Sequence, residues 1–73
     1  MKNIMLTERY DAVHDISICH LEETEITFDE ANEIRVEFTT KFGHPECVKS
    51  TIPNDFNRGI KDTFIRQIWT TEV

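Results

Sequence analysis

Apolar side chains recur along this chain in two rhythms, one close to a helical turn and one of strict alternation. In residues 6–13, Leu6, Tyr10 and Val13 fall on one helical face. Thr7 stands ready to cap that helix, with Glu8 and Asp11 near its positive end. The spacing predicts a short N-terminal helix. Over residues 15–21 the rhythm changes. Ile16, Ile18 and His20 alternate with Ser17, Cys19 and Leu21, and the β-branched content predicts a strand. A hairpin from this strand to residues 24–28 has only Glu22-Glu23 for its turn, and glutamates are poor turn residues.

Residues 26–43 carry both rhythms. Ala31, Ile34, Phe38 and Phe42 line a helical face, Thr27 and Glu30 form a capping-box pair, and Asp29 and Glu30 favour the positive end. Lys41 sits in the last turn, Gly43 is a natural left-handed cap, and Pro45 stops any continuation. Against this, Ile34, Val36, Phe38, Thr40 and Phe42 alternate with polar residues as a strand would, so 33–42 has a competing strand reading. The start and stop signals favour the helix. Residues 43–53 read as a connection. Phe56, Ile60, Phe64 and Ile68 then recur at a spacing of four, which predicts a last helix from Asn54 or Asp55 to Trp69, with Gly59 inside it at a cost of about 1 kcal/mol. Residues 70–73 are expected to fray.

The expectation is therefore an α+β fold: one small acidic domain over residues 1–73, with a short N-terminal helix, one or two short strands and two amphipathic helices. The alternative is a small antiparallel meander packed against a C-terminal helix. A chain of 73 residues supports one modest core, which dimerisation or docking would reinforce. No stretch approaches the ~20 apolar residues of a membrane helix. No signal-peptide pattern opens the sequence, and two cysteines fit a reduced, cytoplasmic chain, or host cytoplasm for a virus-encoded one.

Charge sharpens the picture. Residues 1–37 hold ten acidic and three basic groups (net −7), and residues 38–73 hold four and five (net +1), giving −6 overall. A negative half repels nucleic-acid backbones and attracts basic surfaces. The main functional expectation is a protein-binding module with no chemistry of its own. It would be a small virus-type inhibitor or phosphate-backbone mimic docking on a basic, nucleic-acid-handling protein. Its expected contact residues are Glu22, Glu23, Glu25, Asp29, Glu30, Glu33 and Glu37, with Ile65 and Trp69 as apolar anchors. Trp69 has a second reading, as cover for the edge of the core. One alternative function is a homodimeric structural or regulatory subunit. The other is a small nucleic-acid-binding regulator using Lys61 and Arg66 on a basic C-terminal helix.

Other chemistry has weaker support. Cys19-His20 with His44 and Cys47 has zinc-ligand types but not zinc-finger spacing, and adjacent strand residues point to opposite faces. Nothing marks a nucleophilic Cys–His pair, a calcium loop or a phosphate loop. No metal, cofactor or catalytic residue is expected.

Overall fold

The structure, a computed structural model, describes residues 2–71. Strands β1 (Lys2–Asp11), β2 (Ile16–Leu21) and β3 (Thr24–Ile26) precede helix α1 (Phe28–Phe42). Strands β4 (Glu46–Asp55) and β5 (Ile60–Thr71) follow it. The sheet has the order β3-β2-β1-β5-β4, and every neighbouring pair is antiparallel. The expected N-terminal and C-terminal helices are thus replaced by strands, and the sheet has five strands rather than one or two. The alternative's C-terminal helix is corrected as well: among the described residues the last element is strand β5. The frayed end expected over 70–73 is not seen at Thr70 and Thr71, which complete β5; positions 72–73 lie outside the described residues.

The helix prediction over 26–43 holds, and for the expected reasons. Thr27 caps it: its hydroxyl accepts from the Glu30 N–H at 3.1 Å, and the Glu30 carboxylate accepts from the Thr27 N–H at 3.1 Å. The Gly43 N–H closes the other end on the Thr39 carbonyl. Strand β2 and its hairpin to β3 also form, with Glu22 taking the left-handed conformation (φ 56°) that the tight turn requires.

Helix α1 is the connection between the two edges of the sheet. Crossing from β3 to β4 spans four strand spacings, about 19 Å. Fifteen helical residues cover about 22 Å. One crossover covers one face, leaving the other without a layer. Under the helix, Leu6, Cys19, Ala31 and Trp69 form the buried core, with Leu21, Ile26 and Phe38 against it. Phe38 meets Trp69 edge-on, with ring centroids 5.6 Å apart. Trp69 is 1% exposed, and its indole N–H donates to the Thr39 hydroxyl at 3.4 Å. It is therefore part of the core, and the exposed-anchor reading is corrected.

Candidate interaction surfaces

Register assigns each side chain to a face. Ile4, Leu6, Glu8, Cys19, Leu21, Ile65, Gln67 and Trp69 share the helix side. The bare side carries Met5, Arg9, Ile18, His20, Phe64, Arg66, Ile68, Val48 and Ile52. Strand β5 is thus apolar on both faces, although only one is covered. Lys61 and Arg66 fall on opposite faces of a strand, so the basic C-terminal helix does not exist and the two cations do not form one stripe.

The helix is fixed to the sheet through Arg35. Its guanidinium donates to Glu8 at 2.6 Å, Gln67 at 2.7 Å and Asn32 at 2.8 Å. Glu8 therefore holds the two layers together and is not part of a solvated acidic face. The acidic contact candidates, Glu8 not among them, divide. Asp29, Glu30, Glu33 and Glu37 do share the outer surface of α1, around Val36, which is 70% exposed. Asn32, Glu33, Val36 and Glu37 line a shallow open depression there. Glu30 is engaged in its cap, and Glu37 pairs with Lys41 at 3.1 Å. Glu22 and Glu23 lie in the β2–β3 turn, where the Glu22 carboxylate accepts from the Met5 N–H. Glu25 is opposite His20, on the bare side of the sheet. Ile65 is half-buried on the helix side. The structure therefore gathers the helical carboxylates but separates them from Glu25, and it removes Trp69 from the surface.

The cysteine–histidine constellation is dispersed. Cys19 and Cys47 are unpaired thiols on β2 and β4, with β1 and β5 between them. His20 points away from Cys19, across the sheet. Burial, then the charge of Glu8, pushes the Cys19 thiol up, the opposite of an activated nucleophile. Among the described residues, no group of three or more His, Cys, Asp or Glu is arranged to hold a metal ion.

A polar cluster at the hairpin end was not foreseen. Asp62 is 1% exposed, and its carboxylate accepts from the Asn54 amide (2.8 Å), the Arg9 guanidinium (2.8 Å) and the Ala12 N–H (3.0 Å). The Asn54 amide also donates to Asp11 at 3.0 Å, and Asp11 accepts from the Val13 and His14 N–H groups and the His14 ring. Asn54 donation, followed by the Ala12 N–H and Arg9, holds Asp62 below the usual carboxylate range despite the opposing effect of burial. The sole hint in the sequence is one aspartate within the β-branched run of β5.

The most exposed element is β4, the edge strand, where only Ile52 and Asp55 are partly covered. Its hairpin to β5 closes through Gly59 (φ 68°), whose N–H bonds the Phe56 carbonyl, while Asp55 accepts from the Arg58 N–H and guanidinium.

The fold and its surfaces define a class only: a small α+β domain with an antiparallel sheet and a single crossover helix. No protein-family model, curated protein or solved structure matches the chain. Among the described residues, no helix is long and apolar enough to cross a membrane.

Proposed function

We propose that this chain is a self-associating structural or regulatory subunit, completed by a second copy of itself. The observation that carries the reading is its surface. The chain exposes 5322 Å², where a compact monomer of 8.6 kDa would expose about 4,700 Å². The difference, about 600 Å², approaches the ~800 Å² that one partner contributes to a standard interface. The radius of gyration, 13.6 Å, likewise exceeds the ~11 Å of a compact chain this long. Strand β4 is exposed over Glu46–Thr51, and on the bare face Met5, Ile18, Phe64 and Ile68 are only partly buried. A cytoplasmic, reducing setting suits two unpaired thiols, one of them exposed. Sedimentation equilibrium from ~1 μM to ~1 mM tests the reading. A mass rising to twice 8.6 kDa supports it, and a constant monomer mass removes it.

A second reading, an acidic face docking on a basic protein, draws support from the carboxylates that α1 gathers around exposed Val36. Glu33 is the residue to reverse in testing it, because Glu30 also caps the helix. A basic partner that still binds the Glu33→Lys chain with unchanged salt dependence would end that reading.

A further inference from the structure

We infer that the second copy joins at β4, edge to edge and antiparallel, with the two-fold axis at Ser50. The inference rests on the self-association reading and assigns its surface.

The phase of the hydrogen-bond ladder can be followed across the sheet. The Glu22 N–H donates to the Met5 carbonyl at 2.8 Å, so the backbone groups of Met5 face β2. Alternation then turns those of Leu6 and Glu8 toward β5. Through the register, Gln67 and Ile65 face β1, and Arg66 and Phe64 face β4. Their partners Val48 and Ser50 face back toward β5. Cys47, Lys49 and Thr51 are left with both N–H and C=O directed to solvent. Pro53 falls at the same phase, where the missing N–H costs the ladder nothing, in agreement with this assignment. This is an open strand edge, the template for another strand.

Three features favour β4 of a second copy as the occupant. First, an axis normal to the sheet and passing beside Ser50 sets Lys49 opposite Thr51 of the second copy. Each pair exchanges both backbone bonds, and the Cys47 N–H meets the Pro53 carbonyl of the second copy. Every free N–H of the edge is used. Second, the same register brings Val48 against Ile52 of the second copy on the bare side, extending the apolar strip of Phe64 and Ile68. Centring on Lys49 instead would face like charges directly, which is unfavourable. Lys49 thus selects the register. Third, the joined edges belong to the half of the chain with net charge +1. The β3 edge and its carboxylates end up at opposite rims of a ten-stranded sheet, about 43 Å apart, several Debye lengths at physiological salt.

The proposed axis places the two Ser50 residues in a non-hydrogen-bonded pair, with Cα atoms about 4.5 Å apart, within disulfide range. The test is oxidation of full-length Cys47→Ser/Ser50→Cys beside Cys47→Ser/Lys49→Cys and Cys47→Ser/Val48→Cys, with circular dichroism confirming that each is folded. The expected result is a covalent dimer from Ser50→Cys at least tenfold faster than from the other two. Equal rates at the three positions, in a chain that sedimentation shows to be dimeric, would overturn the edge pairing while leaving self-association standing. A monomer at every concentration would remove both.

Discussion

At the residue scale, two buried side chains stand out, Trp69 in the core and Asp62 at the hairpin end. In the sequence Trp69 reads two ways, as an apolar surface anchor or as cover for the edge of the core, because it lies beside a run that fits a helix. On β5 it instead turns under α1, against Phe38. Trp69→Ala should cost about 3–5 kcal/mol, comparable to the whole stability of so small a core. Urea denaturation followed by circular dichroism would then show a largely unfolded chain. Asp62 is the second. Its folded pKa lies below its ordinary value of 3.8, so its stabilising contribution is fully present above that value. The contribution is lost as pH falls through the lower, folded value. Asp11, held down first by His14, and Asp55, held down first by Arg58, act in the same direction. The urea midpoint should therefore be level near neutrality and fall below about pH 4. Asp62→Asn should lower the midpoint at neutral pH and make its acid decline shallower. An unchanged acid decline would assign the pH dependence to other carboxylates.

At the element scale, a spacing of four separates helix from strand poorly. Four residues make roughly one helical turn, but four is also an even number, so such residues share a strand face too. Ile60, Phe64 and Ile68 line one side of β5 for that reason, and Leu6 and Tyr10 one side of β1. The evidence against helix in β5 lay in the β-branched residues between and after these (Thr63 and Ile65, then Thr70 and Thr71) and in Gly59, which needs a positive φ in a turn rather than a place inside a helix. Helix α1 was legible because its signals are local: a reciprocal cap at one end and a glycine at the other. Strand β4 was not, since an edge strand exposed on both faces shows little apolar alternation. Its phase yields a prediction. Thr51→Pro removes only a solvent-directed N–H, so the monomer should stay folded, as it does with Pro53. Sedimentation should nevertheless show self-association weakened at least tenfold. Equal dimerisation by the variant would mean that β4 is not the joint.

At the scale of the whole molecule, the charge asymmetry of the sequence becomes one of space. The strands before α1 occupy one side of the sheet and the hairpin after it the other. Lys49, Lys61 and Arg66 lie on the β4–β5 side and Glu22, Glu23 and Glu25 at the β3 edge, while the carboxylates of α1 run across the sheet between the two edges. This makes salt a discriminating variable. Joining through β4 keeps the acidic rims apart, so raising salt from ~0.1 to ~0.5 M should change the dimer dissociation constant less than about threefold. Docking of the acidic helix on a basic protein should weaken more than tenfold over the same range. Sedimentation equilibrium at the two ionic strengths reads the first quantity, and titration calorimetry with a basic partner reads the second.

The sequence by itself determined what acts within a few residues: the capped helix from Thr27 to Gly43, strand β2, the unequal charge of the two halves, and the small size of any core. It also showed that the carboxylates cluster along the chain. Tertiary structure alone decided the identity of β1 and β5, because their spacings satisfy both periodicities until strand neighbours exist to pair with them. It also decided which acidic residues are free. Glu8 faces Arg35 across twenty-seven positions, and Asp62 meets Arg9 across fifty-three. Such partners become neighbours only when the sheet assembles, and the assembled sheet leaves β4 open.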